Sequence, residues 1–222
     1  MDKDGNYIYR RPAPTLDYGI TPSRAPSSHC YVNAYIELLI VMDTSNNVKI
    51  LDYRVMKELI KSFLMDNFNL RTNKVRVGLI KYGDVVEVPV SLGDYDNQAH
   101  LISKISESRR MKGSANLGNA LNDAAGEFLI SGVSNAPRVV IVFKNGKSSD
   151  NVRSGSRMLR EDVSAKVYVV TVDSEKQENL QIVGEDHPER IITLDKWRGH
   201  DAESLGGIAD RICKVRSLLY LS

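Results

Sequence analysis

Three polar segments carry the side chains that could do chemistry. The run Asp43-Thr44-Ser45-Asn46-Asn47 follows directly on the apolar stretch Ile36 to Met42, and two further polar segments lie at Gly113 to Gly118 and Lys144 to Asp150. Carboxylate, hydroxyl and amide oxygens spaced two apart are the donors a hard divalent cation takes, and an open coordination position lets a partner's carboxylate complete the shell. Other chemistry fits less well. Gly146-Lys147-Ser148 resembles the end of a phosphate-binding loop, but the early glycine of such a loop falls on Ile141. A phosphoryl-accepting aspartate wants a second carboxylate two residues on, where Ser45 stands. His29, His100, His187 and His200 are scattered without the spacing of a zinc helix, and no Gly-x-Ser-x-Gly elbow exists. With no acid-base pair, activated nucleophile or cofactor cradle, the sequence predicts a binding domain and not an enzyme.

These segments need a scaffold, and hydrophobic periodicity supplies one. Tyr35 to Met42, Arg138 to Phe143 and Lys166 to Val172 are near-continuous apolar runs too short for typical helices, as expected of strands covered on both faces. Val75 to Tyr82 reads as another strand, Val85 to Val90 as an edge strand because Pro89 cannot donate to a ladder, and Arg190 to Leu194 as a short one. Helical spacing of apolar residues covers Leu51 to Phe68, Gln98 to Glu107, Leu117 to Leu129, Val152 to Glu161 and about Ala202 to Arg216. Alternating strands and helices predict an α/β, doubly wound, Rossmann-like fold. Its central sheet is mainly parallel, with one antiparallel edge strand and helices on both faces. Ligands of such sheets bind beyond the carboxyl ends of the strands, where the three polar segments fall.

Charge and composition exclude some partners. Among 222 residues, 30 basic and 28 acidic side chains nearly cancel to +2, so no strong field marks a nucleic-acid binder. No run of about 18 apolar residues is available to insert into a membrane. Residues 1–29 hold Pro12, Pro14, Pro22 and Pro26 without a hydrophobic period and read as a tail or linker, residues 30–217 as one domain, and residues 218–222 as a C-terminal tail. Cys30 precedes the first strand and Cys213 lies in the last helix. The pair could clasp the ends of the domain as a disulfide worth roughly 5 kcal/mol in the chain-entropy model, or be two separate buried thiols. A disulfide would imply an oxidising compartment. The basic run Arg109, Arg110, Met111, Lys112 could contact an acidic partner, sulfated sugar or protein, or be a solvated loop.

Taken together, Ile36 to Ser45, Val75 to Tyr82, Gly113 to Leu121 and Val139 to Lys147 resemble the von Willebrand factor A domain family over roughly residues 33–216. The likeness is to its extracellular matrix members, in which cysteines flanking the domain are common. The resemblance implies a metal-ion-dependent adhesion site on the three loops. Asp43 and Ser45 match its aspartate and first serine. Asn47 stands where a second serine is usual, Ala115 falls on the threonine ligand, and Asn145 replaces the aspartate before Gly146. Ala115 offers no side-chain oxygen and Asn145 removes a negative charge, so the site is expected to bind magnesium or manganese weakly or not at all, with no cofactor required. The expected function is that of a secreted matrix domain that binds collagen or another matrix protein without needing metal. The alternatives are a structural spacer that self-associates and a metal-dependent adhesion receptor.

Overall fold

The computed structural model describes residues 35–68, 70, 75–94, 98–133, 135–199 and 205–214. Its elements run β1 (Ile36–Asp43), α1 (Ile50–Asn67), β2 (Val75–Tyr82), β3 (Val86–Val90), α2 (Gln98–Glu107), α3 (Leu117–Ser131) and β4 (Arg138–Lys144). Then come α4 (Arg153–Arg157), β5 (Lys166–Thr171), α5 (Lys176–Val183), β6 (Ile191–Thr193) and α6 (Gly206–Lys214). The strands form one six-stranded sheet in the order β3-β2-β1-β4-β5-β6. All neighbours pair in parallel except β2 and β3, so the predicted antiparallel edge strand is present and Pro89 sits on that edge.

Alternation along β1 divides the core. Leu38, Ile40 and Met42 pack with Met56, Phe63, Ile105 and Ile208 on the face covered by α1, α2 and α6. Leu39 and Val41 pack with Leu121, Ala125, Leu159 and Val183 on the face covered by α3, α4 and α5. Every residue of β1 is buried, which explains why its sequence is nearly continuously apolar. The α3 and α4 helices touch closely: a Cβ at Gly155 would lie 2.7 Å from the Asn122 nitrogen and 2.9 Å from the Gly118 carbonyl oxygen, so only glycine fits there. At the start of β1, Glu37 is fully buried and ion-paired with Arg76 at 2.5 Å and Arg138 at 3.5 Å, and it accepts the Val133 N–H at 2.7 Å.

Two elements differ from the periodicity reading. Residues 176–183 have no predicted element yet form α5, a helix only eight residues long whose buried side chains are Asn179, Ile182 and Val183. So short a helix shows too few apolar repeats to reveal a period; its stability comes from docking on the sheet. The predicted helix at Val152 to Glu161 is five α-helical residues followed by a π-helical turn, Met158–Asp162, which aims Leu159 into the core. The tail at 1–29, Cys30 and the Cys213 side chain lie outside the described residues, as does any bond between the cysteines. Among the described residues no helix is long and apolar enough to cross a membrane.

Candidate functional site at the carboxyl end of the sheet

Strand β2 pairs on one side of β1 and β4 on the other, and the connections leaving β1 and β4 diverge at their carboxyl ends. Asp43 closes β1 there and Lys144 closes β4. Asp43 is 1% exposed. Its Oδ1 accepts the Ser45 N–H at 2.8 Å and its Oδ2 accepts the Asn145 N–H at 3.2 Å. The neighbouring Ser45 and Tyr82 hydroxyls also favour the charged carboxylate. Burial still dominates and pushes the Asp43 carboxyl above its ordinary value of 3.8, against the pull of those bonds. The same burial, followed by the nearby Asp43 charge, raises the Tyr82 phenol.

Two arms clamp the loop that follows. On one side Lys112 N donates to Thr44 O at 2.8 Å, Asn46 N to Gly113 O at 2.9 Å, and Arg110 donates from Nε to Ser45 O at 3.1 Å and from Nη2 to Asn46 Oδ1 at 3.2 Å. The arm turns through left-handed backbone at Lys112 (φ 71°) and Gly113 (φ 76°), and a Cβ at Gly113 would collide with the Asp84 carboxylate. On the other side Asn145 Nδ2 donates to the Asn47 carbonyl, and Asn47 Nδ2 donates to Lys147 O at 3.2 Å. The Ser45 hydroxyl oxygen accepts Asn47 N at 3.1 Å. Asp43, Ser45, Asn47 and Asn145 are thus brought together by direct hydrogen bonds. Ala115 is buried on the second polar segment, donating its N–H to Ser149 Oγ at 3.1 Å and accepting at its carbonyl from Ser149 N and Ser148 Oγ on the third. Of these five positions only Asp43 carries a carboxylate, and among the described residues no group of three His, Cys, Asp or Glu side chains could hold a metal.

The structure adds residues that the motif reading does not include. Lys144 is 1% exposed and its Nζ lies 3.0 Å from Asp173 Oδ2, 3.0 Å from Asn179 Oδ1 and 3.1 Å from Glu178 Oε1. Burial alone would raise Asp173, but the Thr171 hydroxyl and the Lys144 charge outweigh it and hold its carboxyl below 3.8. Glu178 also accepts the Ser148 N–H, linking this charge cluster to the third polar segment. The sequence signal for the cluster is a lysine ending an otherwise apolar strand, Val-Val-Ile-Val-Phe-Lys, which demands a buried counter-charge.

A family model for the von Willebrand factor type A domain matches residues 37–205. The collagen alpha-6(VI) chain of Homo sapiens is 27% identical over 83% of this chain, and Cuticlin-6 of Caenorhabditis elegans is 25% identical over 90% of it. The chain spans 8% and 34% of the length of those two relatives. Among solved structures, proximal thread matrix protein 1 from the mussel byssus superposes with a TM-score of 0.69 at 14% identity, covering 82% of this chain and 48% of its own. That likeness concerns the fold. With the sheet order, the helices on both faces and the loop cluster at the carboxyl end of β1, these matches place the chain in the von Willebrand factor type A domain family.

Proposed function

We propose that this domain binds collagen or another extracellular matrix protein through its loop pole, outside the cell, and needs no divalent ion to do so. The observation that carries the metal-free part is the state of the loop itself. Asp43 spends both carboxylate oxygens on backbone N–H groups, and the Asn145 amide turns a donor, not an oxygen, toward Asn47. Ala115 contributes only a methyl group. A magnesium ion gives up water reluctantly and demands a nearly complete oxygen shell, which this donor set does not fit. The matrix part rests on the family membership and on relatives named as a collagen chain and a cuticlin.

A solid-phase assay with immobilised collagen and other matrix proteins, run with and without EDTA, tests both parts. Binding unchanged by chelator is expected. Binding lost in EDTA would transfer the reading to a metal-dependent adhesion receptor.

A second reading, a self-associating spacer, draws on Leu129, Ile130 and Val133 at the end of α3, which are 63%, 85% and 47% exposed. Light scattering over a concentration series separates it: a strict monomer that binds no matrix protein would leave neither reading standing.

A further inference from the structure

The basic segment Arg109 to Lys112 is not a detached surface loop: Arg110 lies against the Asp43–Asn47 loop and uses two of its three nitrogens there, both on neutral acceptors. Its third nitrogen and its full charge are left over. Among the described residues no acidic side chain lies within ion-pair distance of Arg109, Arg110, Lys112, Lys49 or Lys147. Lys112 and Lys147 are exposed on the two arms that clamp the loop, and Lys49 is exposed where the loop enters α1. Several acids around this pole are committed elsewhere: Asp84 to the Ser114 N–H at 2.5 Å, Glu87 to Lys81 at 2.7 Å, Glu178 to Lys144 and Ser148, and Asp150 to the Gly118 and Asn119 N–H groups, while Asp52 lies in the first turn of α1. A chain of net charge +2 therefore concentrates unpaired cations around one loop.

Exposed apolar side chains border the same pole. Ile50 and Leu51 open α1, directly after the loop, and are 57% and 50% exposed, while Val85 at the β2–β3 turn is 60% exposed. A polysulfated sugar gains nothing from these groups; a peptide with apolar side chains does. Taking the matrix-binding reading as its basis, we propose that this rim docks an acidic protein segment carrying apolar residues, with Arg110 as the anchor for a carboxylate. Two loop hydrogen bonds hold the guanidinium in place, so less rotamer freedom is lost when it meets a carboxylate.

The probes are a labelled short peptide of mixed glutamate and leucine, an oligoglutamate, and a heparin oligosaccharide, each titrated into the full chain and followed by fluorescence anisotropy. The mixed peptide is expected to bind, more weakly as salt rises from about 50 to about 200 mM. Arg110→Ala should weaken it about tenfold or more, a loss of ~1.4 kcal/mol. Because Arg110 also braces the loop, Lys112→Glu supplies an independent arm, since Lys112 meets the loop through its backbone alone. Leu51→Ser should weaken the mixed peptide and leave oligoglutamate unchanged. Heparin bound with no preference for the mixed peptide, or peptide binding indifferent to both Arg110→Ala and Lys112→Glu, overturns the proposal. Collagen binding measured on the same variants keeps the two readings apart. If collagen binds equally well to all variants while the peptide does not bind, the rim proposal falls and matrix binding stands. If no matrix protein binds, the broader reading falls, and the peptide titration still decides the rim.

Discussion

Asp150 Oδ1 lies 2.7 Å from the backbone nitrogen of Gly118, and Oδ2 of the same carboxylate lies 2.9 Å from that of Asn119. Helix α3 is therefore capped by a residue from the loop after β4, while its own N-cap residue, Asn116, makes no side-chain capping bond. A carboxylate at that end also meets the positive end of the helix dipole. Asp150→Ala is expected to cost about 1–2 kcal/mol, the value of a lost cap. Urea denaturation with an unchanged m-value is the measurement, and a change within about 0.5 kcal/mol would show the cap to be dispensable.

Lys144 neutralises two acids in a nearly dry setting, so removing it alone should be costly. Lys144→Met leaves Asp173 and Glu178 facing each other without a cation, and a loss of about 3 kcal/mol is expected. Adding Asp173→Asn and Glu178→Gln to that variant should recover a large part of the loss, because the penalty belongs to the uncompensated charges. If the triple variant is no more stable than the single one, packing of the lysine stem is the larger contribution.

Asp43 makes a pH prediction with a definite sign. Burial raises its carboxyl in the folded chain above 3.8, so between that value and the raised one the folded state holds more protons than the unfolded state. The stability this residue contributes therefore falls as pH rises through that window and is level above it. Compared with Asp43→Asn, the native chain should lose relative stability with rising pH across this range in paired denaturation curves. The opposite slope would mean that the hydrogen bonds to Asp43 outweigh its burial.

Restoring the missing oxygens should create a metal response. Asn145→Asp with Ala115→Thr adds a second carboxylate and a hydroxyl to the loop set. At a magnesium concentration about 100 times Kd the double variant should gain ~2.7 kcal/mol, raising Tm by about 5–10 °C. The native chain should show no shift with magnesium or manganese. Micromolar calorimetric binding by the native chain, abolished in Asp43→Ala, would falsify the metal-free reading.

Much of the scaffold is legible in the sequence because its signals are local. The runs at Ile36–Asp43, Arg138–Lys144 and Lys166–Thr171 are apolar at nearly every position, since each lies inside the sheet with both faces covered. Pro89 marks its strand as an edge by the absence of a single N–H. The loop set Asp43, Ser45, Asn47 and Asn145 is legible through its family pattern, and the structure brings those four together. What escapes is set by pairings distant in sequence. Lys144 and Asp173 meet because β5 lies beside β4, and Arg110 meets Ser45 across 65 positions; the residues around each one do not reveal which partner it finds. Helix α5 escapes for a different reason, being held by Ile182 and Val183 against the sheet and not by any repeat of its own.

The ends of the sheet order bear on how copies of this domain can be crowded together. One border strand, β3, has five residues and contains Pro89, and the other, β6, has three. A neighbour seeking to continue the sheet would find short templates, one of them lacking a donor at its proline. Growth of one copy onto another by shared backbone ladders is thereby discouraged, even at high local concentration. Any assembly these domains undergo must be written in side chains, where sequence can tune which neighbour is accepted.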